Sequence, residues 1–477
     1  MSKRPNILWI QTDEQRPDSL GCYGSNWAKT PNIDKIAKNG VVMKNAVCQS
    51  PVCLPSRSSQ LSARYPQEFG CLNNMLLNAG GSFPDGYITF PEIFKKAGYE
   101  TLNFGRFHCL SDSVFEINKQ MGDALPEYCT PFDLNEKYDE DKYNVLKRPG
   151  KQHRQLIIAG TYPGNENPSQ ISTDRAITYL SNRNENDKPF LMRVSYNWPH
   201  TPTLAPPPFD NLYDSKELPI KYYNEDARLN RSKHDKTYAK LHRMDKLTKR
   251  EQEQVWKDYM GVCAYVDSQV GKLISALEKE GYAENTIILY SSDHGKLLGE
   301  WGAGEKNTFD KEVWRVPFIW SFPDNIPQNE IREELCEIID TGTTLLSLAG
   351  LEDKIPESYR GRNLFGNKEA PEEIFGVIRP PIQDIPDFDP ELMRVAVRTK
   401  RYRMDMNWCM DGGIPPQELE DGNFFDLKKD PEEIVNIWDE NGVKSIKLNL
   451  KNKLKKWLSS HDINSKLLDQ NNVGELF

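Results

Sequence analysis

Apolar residues along this chain fall into two rhythms. Short unbroken runs, Asn6–Ile10 and Thr286–Tyr290, lack polar alternation, which suits strands buried on both faces of a parallel sheet. Pro189–Ser195 and Val316–Trp320 have the same character. Between them the spacing changes to steps of three and four. From Tyr259 to Lys279, Val262, Val266, Val270, Leu273 and Leu277 mark one helical face. Thr30–Asn39, Phe90–Ala97, Ser169–Asn182 and Ile338–Ala349 predict further helices. Such alternation predicts an α/β fold with a large, mostly parallel sheet flanked by helices.

The stretch from Pro126 to about Asp245 is charged, Pro- and Tyr-rich and weakly periodic. Apart from the Ser169 helix, the Pro189 strand and a strand-like run at Leu156–Ala159, it predicts long loops over the rim of the sheet. Beyond Gly361–Phe365 the pattern shifts again. Strand-like pieces at Phe375–Ile378, Met393–Arg398 and Tyr402–Met406 precede a helical tail at Val443–Leu458. The expected organisation is a catalytic domain over 1–370 and a smaller C-terminal α+β unit with a short antiparallel sheet over 371–477.

Composition narrows the function classes. With 38% hydrophobic and 10% aromatic residues in 477, the chain can build a real core. Its net charge of −9, from 61 Lys+Arg against 70 Asp+Glu, lacks the basic footprint of a general nucleic-acid binder. Nine cysteines without a CxxC pair give neither a disulfide framework nor a zinc site. Ile7–Ile10 is too short for a signal peptide and no apolar stretch is long enough to span a membrane, so the expected compartment is cytoplasmic.

Each of the two buried runs ends in ligand-type residues: Asp13 and Glu14 after the first, Asp293 and His294 after the second. In open parallel sheets ligands gather at the carboxyl ends of strands. As a matched pair these four residues predict a site for one divalent cation. Singly, each Asp reads first as a turn or helix cap. The third candidate is Cys53 in Pro51-Val-Cys-Leu-Pro-Ser-Arg57. A thiol at the start of a helix is acidified by the helix dipole, and Arg57 one turn on suits an anion. A structural cysteine beside a capped helix fits the same residues.

Cys53-Leu-Pro-Ser-Arg57 resembles the C-x-P-S-R signature of the type I sulfatase family, within the alkaline phosphatase superfamily, in which the Cys is matured to Cα-formylglycine. Other blocks are similar and in family order. They are Pro5–Leu8 with Thr12–Asp18 and Leu20–Gly24, Thr30–Ala37, Gly105–His108, Pro199–Pro202, Ser292–Gly295, Glu305–Thr308 and Phe424–Glu432. The resemblance implies an alkaline phosphatase-like fold. It also implies a sulfuric ester hydrolase with Asp13, Glu14, Asp293 and His294 holding one divalent cation. Oxygen-rich donors suit Ca²⁺ first, with Mg²⁺ or Mn²⁺ as alternatives.

By the same resemblance the hydrated aldehyde made from Cys53 is the nucleophile and Arg57 steadies it. His108 is the base that collapses the hydrate, while His200 and Lys306 contact sulfate and the leaving oxygen. Arg106 stands where the family has Lys, a fork in place of a point charge. Asn74 and Trp198 are candidates for lining the substrate cleft, with turn formation and packing as their alternatives. The expected partners are a small-molecule sulfate ester, a sugar first, and a formylglycine-generating maturation enzyme. The Asp293-His294 pair also resembles phosphonate monoester hydrolases, so phosphonate monoester or phosphodiester hydrolysis is the second reading. A non-catalytic relative with unmodified Cys53 is the third. Of the seven histidines, His153, His234 and His242 lie in polar loops and are expected at the surface, and His461 outside catalysis. A two-zinc phosphatase needs about three histidine ligands and a Ser or Thr nucleophile, whereas three of the histidines stand in the blocks above and no Ser/Thr site competes with Cys53.

Overall fold

The computed structural model describes residues 4–74, 82–110, 141–149, 157–164, 166–184, 186–379 and 392–461. Its main sheet contains β1 (Asn6–Thr12), β2 (Val41–Val47), β3 (Glu100–Gly105), β6 (Phe190–Ser195), β8 (Thr286–Ser292), β11 (Phe318–Ser321) and β12 (Glu330–Glu337). The spatial order is β12-β2-β11-β8-β1-β6-β3. Every residue of β1 and β8 is buried, as their unbroken apolar runs require. Alternate side chains feed opposite layers. Ile7, Trp9, Ile287 and Leu289 pack with the helices Phe90–Lys96 and Asp340–Leu348. Leu8, Ile10, Ile288 and Tyr290 pack with Pro31–Lys38, Pro168–Ser181 and Lys249–Lys279. The expected α/β sheet flanked by helices is therefore the observed architecture.

Four parallel strands sit together as β8-β1-β6-β3. The run at Val316–Trp320 does form a strand, β11, but it lies antiparallel to both β2 and β8. The helix predicted from Tyr259 begins ten residues earlier, at Lys249, where Thr248 and Glu251 form a reciprocal cap.

The region expected to be loops over the rim holds more structure. A three-stranded sheet joins β4 (Leu146–Lys147), β5 (Ile157–Thr161), which is the strand-like run expected at Leu156–Ala159, and β7 (Thr203–Ala205); outside this stretch, a ribbon joins β9 (Leu297–Leu298) to β10 (Gly304–Glu305). The helix Lys233–His242 also belongs to the stretch, with His234, Tyr238 and His242 buried on one face. Those two histidines correct the expectation of surface positions. Each lies four residues from Tyr238 and sets its ring against it, and burial followed by nearby cations holds both well below the ordinary histidine range. His153 lies outside the described residues.

The C-terminal sheet is antiparallel, in the order β13 (Glu373–Ile378), β14 (Leu392–Thr399), β15 (Tyr402–Cys409), β16 (Gly422–Asp426). The helix Lys444–Ser459 covers it with Leu450, Leu454, Trp457 and Leu458. Its core also takes in Tyr65, Leu72 and Ile339 from earlier in the chain, so the small sheet is packed onto the large one. His461 stacks edge-on against Tyr65 there.

Candidate active site

Register brings the site together. β1 pairs with β8 so that Thr12 faces Ser292, and the next residues, Asp13 and Asp293, leave adjacent strands side by side. β6 aligns Ser195 with Gln11, and β3 aligns Gly105 with Ser195. Four neighbouring strand ends thus deliver Asp13 and Glu14, Arg106 and His108, Asn197 and His200, and Asp293, His294 and Lys296 to one rim. Two turns here need glycine. A Cβ on Gly105, whose φ is 92°, would lie 2.1 Å from the Ser195 carbonyl oxygen, and one on Gly295 would lie 2.0 Å from that of Glu312.

Cys53 begins the helix Cys53–Ser62, whose residues are all buried. The Leu54 amide donates to Asn74 Oδ1 at 3.0 Å, so Asn74 caps the helix that carries Cys53. Cys53 Sγ lies 2.9 Å from Lys306 Nζ, 3.2 Å from His294 Nε2 and 3.7 Å from Asp13 Oδ1. Burial would raise this thiol, but Lys306, His294 and hydrogen bonds from His108 and His200 hold it well below the ordinary range. The acidifying charges are thus side chains as well as the helix end.

Arg57 is fully buried, and its guanidinium is engaged by protein groups. It reaches Asp293 Oδ2 at 2.7 Å through Nε, Asp13 Oδ2 at 2.9 Å through Nη2 and Ser195 Oγ at 3.0 Å through Nη1. Its place is beneath the two carboxylates, holding them. Arg106 uses its fork: Nη1 contacts Asp13 Oδ2 at 2.7 Å and Asn197 Oδ1 at 2.6 Å, and Nη2 donates to His108 Nδ1 at 3.0 Å. That leaves His108 Nε2 as the protonated nitrogen, the one able to donate toward Cys53. Burial would raise Asp13, yet Arg106 and Arg57 hold it below its usual value. Asp293 goes up, because burial outweighs Arg57 and Asp13 adds to the rise.

Glu14 belongs to a different neighbourhood from the other proposed cation ligands. Its Oε1 takes Lys306 Nζ at 2.7 Å and faces His200 Nε2 at 3.4 Å, and its Oε2 takes Lys296 Nζ at 2.9 Å. Burial would raise it, but His200, Lys296 and Lys306 hold it well below the carboxylate range. Donor atoms of Asp13, Cys53, Asp293 and His294 lie within 4.8 Å of one another, and a separate group joins Asp13, Glu14 and His200. Trp198 is packed between Tyr162 and Tyr265 in the core, its Nε1 donating to the Pro202 carbonyl, which is the packing alternative for that residue. Sequence reasoning missed Lys296, whose only signal was its position directly after Asp293-His294-Gly295.

Residues 5–351 match the family model described as Sulfatase. The chain belongs to the sulfatase family. As a sulfatase it is a sulfuric ester hydrolase of the alkaline phosphatase superfamily. Residues 299–460 match a second model, described as N-sulphoglucosamine sulphohydrolase, C-terminal. Among its relatives is an N-acetylglucosamine-6-O-sulfatase from Bacteroides thetaiotaomicron, 25% identical over 92% of this chain and 83% of the relative. A solved structure in complex with its substrate D-glucosamine-2-N,6-O-disulfate superposes with a TM-score of 0.71 at 21% identity, covering 99% of this sulfatase and all of that chain. A phosphonate monoester hydrolase from Silicibacter pomeroyi gives 0.76 at 18% identity, covering 97% and 96%.

Family membership implies a divalent cation, and the donors fit one. The four donor atoms lie within 4.8 Å of one another, which is within the greatest separation that two ligands of an ion with bonds of about 2.4 Å can have. His294 Nδ1 lies 2.9 Å from the Gly295 carbonyl, which only accepts, so Nδ1 carries hydrogen and Nε2 offers its lone pair to the cluster. Without a cation, burial lowers His294 but Asp293 and Cys53 outweigh it, leaving it at about 9.

Proposed function

We propose that this sulfatase hydrolyses a sulfate monoester carried on a sugar, using the hydrated formylglycine made from Cys53. The observation that carries this reading is the position of Cys53 Sγ, at the convergence of Lys306, His294 and Asp13. An oxygen in that place has a cation, a candidate metal set and two histidines around it. The relative acting on N-acetylglucosamine-6-O-sulfate groups supports the sugar.

The residues divide the work as follows. Asp13, Asp293 and His294 would hold the cation, Ca²⁺ first, with Arg57 locking both carboxylates from below. A cation held by these residues would supply charge withdrawal from the sulfate and the attacking hydroxyl. His200 keeps 15% side-chain exposure, which supports substrate approaching past it. Lys306 and Arg106 supply positive charge for the sulfate oxygens, preorganised by Glu14, Asp13 and Asn197. One hydroxyl of the hydrate attacks sulfur as the sugar oxygen leaves. Lys306 and His200, 3.2 Å apart, stand ready to protonate that oxygen. His108, held by Arg106 at Nδ1, hydrogen-bonds the hydrate from Nε2, and the Lys306–His200 pair, having given a proton to the sugar oxygen, takes one back from the second hydroxyl as the aldehyde reforms and sulfate departs.

A second reading, phosphonate monoester hydrolysis, is favoured by the TM-score of 0.76 and by the histidine at position 294. Matured protein assayed on an aryl sulfate and an aryl phosphonate monoester separates the two. A higher kcat/KM on the sulfate is expected, and a large preference for the phosphonate would reverse the assignment.

A further inference from the structure

Lys306 sits on a short turn whose neighbours, Glu305 and Asn307, both have left-handed backbone, with φ of 64° and 73°. Such a turn needs outside support to hold an ammonium within 2.7 Å of Glu14 and 2.9 Å of Cys53. Support comes from two directions. On one side the Tyr238 hydroxyl donates to the Lys306 carbonyl and accepts from Asn307 Nδ2 at 3.0 Å. On the other, Asp310 is bonded by Arg231 and faces Arg403 at 3.8 Å.

Both supports are anchored in the C-terminal sheet. Tyr238 rides on the helix Lys233–His242, and the amides that open this helix are met from outside it. Asp421 takes the amides of Lys233 at 2.9 Å and His234 at 3.1 Å, and Asn423 Oδ1 takes that of Ser232 at 2.9 Å. Asn423 Nδ2 also reaches Asp235 at 2.9 Å and Asp405 at 3.0 Å. Behind Asp310, Arg403 is paired with Asp405 and lies 2.9 Å from Glu433, whose other carboxylate contact is the Lys311 amide at 3.2 Å. Arg231, Asp235, Asp310, Arg403, Asp405, Asn423 and Glu433 are all buried. Removing one partner of a buried ion pair is costly, so each member of this network is held by the others.

We propose that the C-terminal sheet is a positioning device for Lys306, acting through Asp421, the Lys233–His242 helix and the Tyr238 hydroxyl, with Asp310 and Arg403 bracing the far end of the turn. This rests on the catalytic role given to Lys306 above. Tyr238 and Asp421 touch no reacting atom and are positioning residues.

A double-mutant cycle on the full-length matured protein tests it, with para-nitrophenyl sulfate as substrate. Tyr238→Phe should lower kcat roughly tenfold to a hundredfold while KM changes little. In the Lys306→Ala background the same substitution should change kcat less than about twofold, because there is no ammonium left to misplace. An equal loss in both backgrounds, or no loss in the wild type, overturns the proposal. Should Tyr238→Phe fail to fold, Asp421→Asn replaces it with the same two outcomes. Amide exchange over residues 304–310 supplies a readout independent of activity. It should accelerate in both variants, and unchanged exchange overturns the proposal even for an inactive protein. A matured wild type inactive on the sulfate defeats the reading of function instead, and leaves the exchange result to decide this one.

Discussion

Arg57→Met isolates what holds the paired carboxylates. Arg57 is completely buried, as are Asp13 and Asp293, and it bridges them at 2.9 and 2.7 Å. Removing one partner of a buried ion pair leaves an uncompensated charge and costs about 3–5 kcal/mol. Here two carboxylates lose the same partner, and Ser195 Oγ loses a donor at 3.0 Å, so the upper part of that range is expected in metal-free protein. For 477 residues one degree of Tm corresponds to about 1 kcal/mol, so EDTA-treated protein should melt about 4–5 °C lower. Arg57→Lys keeps the charge without the fork and should recover roughly half of the loss. Saturating Ca²⁺ should narrow the gap between Arg57→Met and wild type, since a cation meets the same two charges. Differential scanning fluorimetry with and without Ca²⁺ measures all of this. A loss below about 1 kcal/mol in EDTA would show that Asp13 and Asp293 do not both stand charged beneath Cys53, and would refute the reasoning.

Asp13→Ala and Asp293→Ala should each lose bound metal while far-UV circular dichroism stays unchanged; wild-type metal content in either contradicts the ligand set. Lys296→Met strips Glu14 Oε2 of a cation at 2.9 Å and should lower kcat/KM about tenfold or more, whereas an unchanged value would make Lys296 a bystander. Glu337, buried and near Asp340, is pushed up to about 8 from an ordinary value of 4.5. A carboxyl raised on folding gives stability that is complete below pH 4.5 and is lost as pH rises through about 8. That loss is on the order of 4–5 kcal/mol. Urea melts of Glu337→Gln should therefore vary less with pH across this window than wild type, and parallel curves would dismiss the shift.

Much of the site was legible because the strands that build it are unbroken apolar runs. Asn6–Ile10 and Thr286–Tyr290 each announce a buried parallel strand, and the acidic residues after them need only the Thr12–Ser292 register to meet. What register could not announce was direction within a side chain. Glu14 follows Asp13, but its backbone is left-handed, with φ of 63°, and its carboxylate turns to Lys296, Lys306 and His200. Arg57 likewise carried the right charge for an anion, while its buried side chain is consumed by Asp13 and Asp293. β12 was missed because Glu330–Glu337 is an edge strand whose outer residues are charged, leaving little apolar signal. The Lys233–His242 helix was missed because its buried face is His234, Tyr238 and His242, types that count as polar in a periodicity reading. Trp198 could have lined a cleft or a core, and only packing decides between them.

On the function proposed above, Cys53 works as something other than cysteine. The most direct test is the mass of the peptide containing residue 53, taken from protein produced alongside a formylglycine-generating enzyme. Maturation to formylglycine should make this peptide about 18 Da lighter than the encoded sequence, in proportion to sulfatase activity. A peptide of unmodified mass from fully active protein would contradict it.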